Sequence, residues 1–473
     1  MRVRLVAVAM VLVAACATNP VTGKKELSLI SEAQEIQMGQ QAAVEVRQAS
    51  GIVPDSALLA YVRSIGLKLA KGSERPNLPW SFDVVDDPAV NAFALPGGSI
   101  FITRGILSYM QNEAELATVL GHEIGHVTAR HSVHEMSRAQ VFQGLLGVGS
   151  ILSSDVASVA GVASQGLGLL FLKYSRDNET QADDLGFRYS LADGYDVRAM
   201  RTMFEMLERT SASSEGGRLP QWLATHPDPG NRIAKTDQRL ATVTADLTKM
   251  KINRDPFVRR VDGLVFGENP RQGFFEGQRF NHPDLAFRID FPAGWKTQNQ
   301  PSAVVGVSPA QDAMFALSIP GPEAPDQALA KFLGQQGIQS ANQSSSSVNG
   351  FPAAAADFQA QTQDGQALVG RVVFLSFGGS TYRLLGYGTA TAFAAQRSAV
   401  LQAIQTFGRL TDQAALARQP LRVKMVRLTK DMTVDDFSRQ YPSGVPVATL
   451  AFINGVGAAA DVLKSGTWAR RIQ

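Results

Sequence analysis

The sequence predicts three structured parts: a mainly α domain with a small sheet, an α+β domain, and a small α/β tail module. Three observations carry this. The chain has 473 residues, and single cores rarely grow past about 250–300, so more than one domain is expected. Hydrophobic residues make up 45% and charged residues 18%, the balance of ordinary globular domains. Near residue 255 the texture changes from helical spacing to strand-like alternation. The formal net charge of +3 is too small to argue for a nucleic-acid partner, and none is expected. No internal repeat is visible.

Residues 1–15 read as a secretory signal peptide: Arg2 and Arg4 precede an apolar run from Leu5 to Ala15, too short for a comfortable membrane span. The next residue, Cys16, is the only cysteine, so no intramolecular disulfide can form. "VAAC" resembles a bacterial lipobox, which implies cleavage and lipidation at Cys16; the alternative is a plain signal peptide with an incidental cysteine. Several acyl chains on one residue would anchor the protein stably. Ala17 lacks the acidic character of an inner-membrane retention signal. The expected location is therefore periplasmic, lipid-anchored to the membrane, with the outer membrane favoured.

The first domain is expected over 16–250. Helical spacing covers 28–49 and 55–71, and "WSFDVVDDPAVNAFALPGGSIFITRGIL" reads as strands broken at Pro88 and Pro96–Gly98. Residues 111–138 lack proline and form the strongest helix candidate. Residues 141–172 are apolar and rich in Gly, Ser and Ala; a membrane-crossing pair is conceivable, but Asp155 and the small residues favour an apolar helical hairpin lying over the neighbouring site. Helix resumes over 175–193 and 197–210, followed by the flexible "SASSEGG" at 211–217.

The second domain, 255–410, alternates like strands, with helices near 326–337 and 389–406. Its "FPAGW" opening and long late hairpin resemble the PsbP/Mog-like fold. The tail, 418–473, reads strand–helix–helix–strand. It resembles a LysM-like module, which would bind peptidoglycan, and a small capping subdomain is an equal alternative.

The chemistry centres on "GHEIGH" at 121–126, inside the strongest helix. Positions four apart share a helix face, so His122 and His126 can address one ion, and neutral imidazole suits zinc. Glu123 would then take a proton from the attacking water and pass it to the leaving amine. A peptidase zinc needs a third protein ligand and one open position. The candidate is Glu179 in "YSRDNETQADDLG"; Asp183, four residues on, would orient a ligand histidine through its other ring nitrogen. His131 and His134 leave the His122–His126 face and read as exposed or as supports behind the ligands.

"NPVTGKKELSLISEAQEIQMGQQAA", "NAFALPGGSIFITRGIL", "GHEIGH", "SRDNETQADDLG", "GYD" at 194–196 and "THPDPGNRI" at 225–233 resemble, in this order, the HtpX-like, CAAX-prenyl-endopeptidase-like and Oma-like zinc metallopeptidases, metallopeptidase family forty-eight. The resemblance covers about 19–240. It implies a mainly α zincin (gluzincin-like) peptidase domain with a small active-site sheet. It implies one Zn2+ per chain on His122, His126 and Glu179, with Glu123 as base and acid. It adds His226, as oxyanion stabiliser or removable fourth ligand, and Arg232 to hold or polarise the same region. Asn91, Ala92, Phe93 and Ala94 would form an edge strand that pairs with an extended substrate. Val197 departs from the proline that many relatives carry after "GYD".

The function expected is a zinc endopeptidase of the bacterial envelope that degrades misfolded or stalled, misassembled envelope proteins. Two other readings compete: a chaperone-like assembly factor or peptidoglycan-associated protein in which proteolysis is secondary, and a zinc amidase acting on peptidoglycan peptides.

Overall fold

The computed structural model describes residues 16–146, 174–213, 222, 226, 229–300, 302–361 and 367–473. They fall into two compact units. The expected signal peptide, 1–15, lies outside the described residues, and so does the hairpin expected over 141–172 from residue 147 on. Among the described residues, no helix is long and apolar enough to cross a membrane.

The first unit begins with a short hairpin, β1 (Cys16–Thr18) and β2 (Lys25–Leu27), in which Cys16 lies opposite Leu27. Helix α1 (Glu32–Ser50) starts where Ser31 and Gln34 form a reciprocal capping box, and α2 (Ser56–Lys71) starts on the Asp55 carboxylate. A three-stranded sheet follows in the order β3 (Ser81–Val85), β5 (Ser99–Thr103), β4 (Ala92–Leu95). β3 runs parallel to β5 and β4 antiparallel to it, so β4 is an edge strand. After the short α3 (Arg104–Tyr109), helix α4 (Glu113–Thr128) is buried along its whole length. A helix buried on every side is a core element rather than an amphipathic surface helix.

The single helix expected over 111–138 is two helices. α4 ends at Thr128, Arg130 takes the left-handed φ of 58°, and α5 (His131–Leu146) leaves in a new direction. Arg130 is held there by the Glu35 carboxylate, 2.8 Å from Nε, and by the Ile30 carbonyl, 2.9 Å from Nη2. Helices α6 (Arg176–Ala192), α7 (Arg198–Ser213) and α8 (Pro229–Leu240) complete the bundle around α4.

Both later boundaries shift. Where the second domain was expected to open, helix α9 (Arg254–Val261) instead buries Phe257 and Val258 in the first unit's core, and the second unit starts at Asn269. The tail was expected as a LysM-like module or, equally, a small capping subdomain; from Leu421 it belongs to the first unit. Its strands Val423–Arg427 and Trp468–Ile472 pair antiparallel, and Val423, Phe437, Leu450 and Ile472 join the same core. Arg470, 1% exposed, explains the attachment. Its guanidinium donates to the carbonyls of Ser108 (3.0 Å), Ile453 (3.2 Å) and Met110, the last turns of two helices from the two segments.

The second unit, 269–420, is the expected α+β body. A seven-stranded antiparallel sheet runs in the order Gln339–Val348, Phe351–Gln361, Ala367–Phe377, Ser380–Thr389, Ala313–Gly321, Ala303–Val307, Lys296–Gln300. Its side chains alternate between two cores. Ala353, Ala355, Val373 and Leu384 pack with Val400 and Ile404 of the helix Ala390–Gln405. Ala354, Ala356, Val372 and Leu385 pack with Ala328 and Phe332 of the helix Pro325–Leu333. Its one histidine, His282, stacks on Phe287 and has no other histidine beside it.

Candidate metal centre

The site forms where α4 meets α6. These helices approach unusually closely because small residues face each other. A Cβ at Gly125 would stand 3.0 Å from the Ala182 carbonyl oxygen, and one at Gly186 would stand 2.6 Å from the His122 nitrogen. The close approach brings the Glu179 side chain to the two histidines of α4.

His122, His126, Glu179 and His226 are buried and offer ligand atoms that all lie within 4.8 Å of one another. His122 Nε2 is 3.0 Å from His126 Nε2. Glu179 Oε1 is 3.3 Å from His126 Nε2, and Oε2 is 3.6 Å from His122 Nε2. His226 Nδ1 completes the group, 2.9 Å from Glu179 Oε1 and 3.3 Å from His122 Nε2.

The surroundings set which ring nitrogens carry protons. His122 Nδ1 donates to Asp183 Oδ1 at 2.9 Å, which leaves a lone pair on Nε2. His131 Nε2 donates to Gln181 Oε1 at 2.9 Å, so its Nδ1 accepts from His126 Nδ1, also at 2.9 Å, and His126 Nε2 too is left with a lone pair. Two lone pairs 3.0 Å apart cannot hydrogen-bond each other; a cation between them resolves the clash. Glu123 Oε1 is buried without a hydrogen-bond partner among the described residues, a further sign that the cluster is built around an ion. Two neutral imidazoles and a carboxylate form a donor set that fits zinc.

The electrostatics agree. Burial holds His126 well below its usual range, and burial takes His131 down to about 4, so both rings stay neutral. Burial works against ionisation of Glu179, but His226 and Arg232 outweigh it and its carboxyl is held well below the usual range. Asp183 is held at about 2, because the Arg232 charge and the His122 hydrogen bond overcome the cost of burial. Arg232 grips Asp183 with Nε at 2.9 Å and Nη2 at 2.6 Å, and its Nη1 reaches Glu179 Oε2 at 3.2 Å. Burial pushes Glu123 the other way, up from the ordinary glutamate value. Its Oε1 stands 3.9 Å from His226 Nε2.

The structure therefore gathers His122, Glu123, His126, Glu179, Asp183, His226 and Arg232 in one buried cluster. Arg232 lies behind it, fully engaged with carboxylates, with its guanidinium over the Phe204 ring at 4.3 Å. Ala92, Phe93 and Ala94 lie in the edge strand β4, and Asn91 immediately precedes it. The side chain of Cys16 lies outside the described residues. His134 is buried and contacts Glu26, 2.6 Å from its Nδ1. Two aromatic residues were not anticipated. Trp222 stacks on His226 at 4.3 Å, and Tyr174 stacks on His126 at 4.0 Å. Trp222 also donates its backbone N–H to the Val90 carbonyl at 3.3 Å, beside the start of β4.

The comparisons with known proteins bear on this region. Residues 56–240 match the sequence profile of peptidase family M48. The beta-barrel assembly-enhancing protease of Escherichia coli (strain K12) is 31% identical over 231 residues, 47% of this chain and 47% of that protein. The mitochondrial metalloendopeptidase OMA1 of Schizosaccharomyces pombe is 30% identical over 224 residues, 47% of this chain and 65% of that protein. The chain thus spans about half the length of the first of these relatives. Among solved structures, cyanobacterial PsbP from Synechocystis sp. PCC 6803 covers 28% of this chain and 91% of its own at 12% identity and a TM-score of 0.24, too low to assign a fold. The match to the peptidase family M48 profile, over residues 56–240, falls on the helices that carry the cluster.

Proposed function

We propose that the protein is a zinc-dependent endopeptidase of the bacterial cell envelope with a gluzincin-like arrangement of its site. The observation that carries the reading is the buried His122–His126–Glu179 set with Glu123, whose raised pKa suits a group that must take up a proton and give it back. Zinc, when bound, supplies Lewis acidity for the peptide carbonyl and for the attacking water. The chain's own residues do the rest. The Glu123 carboxylate receives the water proton and delivers it to the leaving nitrogen. Asp183 and His131 hold the two ligand rings in the tautomers that face the metal. Arg232 keeps Asp183 and Glu179 ionised. β4 offers its free edge to an extended peptide, so the active-site sheet serves as a substrate rail.

His226 lies in the donor cluster, where it would fill the position that water needs. This supports a latent resting state, with the ring clamped by Trp222. The name of the Escherichia coli relative supports substrates among envelope proteins that fail to assemble. The lipobox-like "VAAC" supports a lipid anchor at Cys16 and a periplasmic location on the membrane, the outer one favoured; Cys16→Ala should release the protein into the soluble fraction. Peptidoglycan contact through the tail has only the strand–helix–helix–strand order behind it.

Metal content tests the site. Purified protein should hold one zinc per chain, lost in His122→Ala, His126→Ala and Glu179→Ala. Stoichiometric zinc in Glu179→Ala would sink the third-ligand assignment.

A further inference from the structure

Helix α1 lies outside the segment matched by the family profile, yet its Glu35 sits at a junction. Glu35 is 1% exposed. Its Oε1 accepts from Arg75 Nη1 at 2.7 Å and from the Gly97 backbone N–H at 3.3 Å; its Oε2 accepts from Arg130 Nε at 2.8 Å. Each donor belongs to a different part of the machinery. Arg75 Nη1 also donates to the Val127 carbonyl at 2.9 Å, one residue beyond His126 at the end of the metal helix. Arg130 makes the left-handed break after that helix. Gly97 is in the turn joining the edge strand β4 to β5. One carboxylate therefore ties the end of the histidine-bearing helix to the turn that ends β4.

The packing at this junction leaves no slack. A Cβ at Gly39 would stand 1.7 Å from the Pro96 carbonyl oxygen, so α1 is pressed backbone-to-backbone against the same turn. Buried charge of this kind is specific about geometry: two guanidiniums and an amide converge on one group, and among the described residues none has a second carboxylate of equal burial to turn to. The other carboxylate on Arg75 among the described residues is Glu32, whose side chain is 65% exposed.

We infer that Glu35 is a positioning residue, which sets the distance between β4 and the metal histidines and so the placement of the scissile bond. This rests on the reading of β4 as the strand that pairs with substrate. Glu35 touches neither metal ligand nor substrate, so its loss should spare the metal and impair alignment. A misplacement of about 1 Å far from the chemistry is enough to cost on the order of 10²-fold in rate.

The test compares Glu35→Gln and Gly39→Ala with the wild type, the second perturbing the same seam without touching the buried charges. Zinc per chain, the Co2+-substituted absorption spectrum, and kcat and KM on a fluorogenic casein-derived peptide are measured at a temperature where all three proteins are folded by near-UV circular dichroism. The expected result is unchanged zinc and an unchanged Co2+ spectrum, with kcat/KM reduced at least ten-fold in both variants and most of the change in kcat. Equal loss of zinc or an altered Co2+ spectrum in both variants would overturn the inference, because Glu35 would then brace the metal helix alone. Unchanged kcat in both would overturn it too. A peptide N-methylated at successive positions keeps the two readings apart. If no methylation raises the wild-type KM, strand pairing at β4 is what fails, whatever the Glu35 variants do.

Discussion

His122 Nδ1 lies 2.9 Å from Asp183 Oδ1, and that bond decides which ring nitrogen faces the metal. The carboxylate accepts only, so the proton is fixed on Nδ1 and the lone pair on Nε2. Asp183→Asn can present its amide NH2 instead and favour the wrong tautomer. Zinc affinity should fall about 10–100-fold, measured by competition with a chromogenic chelator. Unchanged affinity would mean that the ring is oriented by something else.

The helix contact in front of that bond is equally exacting. Adding one methyl group at Gly186 places it 2.6 Å from the His122 nitrogen, a backbone atom that cannot rotate away. Gly186→Ala should push α6 from α4, lower stability by about 1–3 kcal/mol, and weaken zinc binding more than it weakens the fold. Isothermal titration with zinc beside urea unfolding separates the two effects. Full zinc affinity in the variant would show that the ligand geometry tolerates a wider helix separation.

Much of this centre was legible in the sequence, for stated reasons. His122, His126, Glu179 and Asp183 obey helix periodicity, and two residues four apart share a face whatever the tertiary structure does. His131 was not resolved, because it was read on one helix with His126. The break at Arg130, which depends on the distant Glu35 and Ile30, is what turns its ring back toward His126. Gly125 and Gly186 stood in plain view, but a glycine's role in close approach depends on which helix arrives opposite. Trp222 lies four residues before His226, and only the fold shows its ring on the imidazole. The tail's attachment was hidden for the same kind of reason. Its strand–helix–helix–strand order was readable, while the buried Arg470 that joins it to α3 looks, in sequence, like any surface arginine.

That arginine gives a direct test of the tail's attachment. Arg470→Met keeps much of the apolar stem and removes the donors to three carbonyls. It should destabilise the first unit by about 3 kcal/mol, since buried acceptors are left unpaired. Differential scanning calorimetry should show the lower transition broadening or splitting as the tail unfolds ahead of the helices. An unchanged thermogram would make the tail an independent module after all.

His226 is clamped between its stacking partner Trp222 and the donor cluster. If the ring closes the resting site, His226→Ala should raise basal casein cleavage with zinc retained. A fall in kcat of about 10²–10³ with zinc retained would instead assign it to stabilising the transition-state oxyanion.

The central claim is that Glu123 does chemistry beside a zinc held by other residues. Its measurement is casein cleavage by wild type and Glu123→Gln, each with zinc determined on the same sample. One zinc per chain in both proteins, with cleavage by the wild type and none by the variant, is the result predicted. A zinc-loaded Glu123→Gln protein that cleaves casein at the wild-type rate would contradict the account.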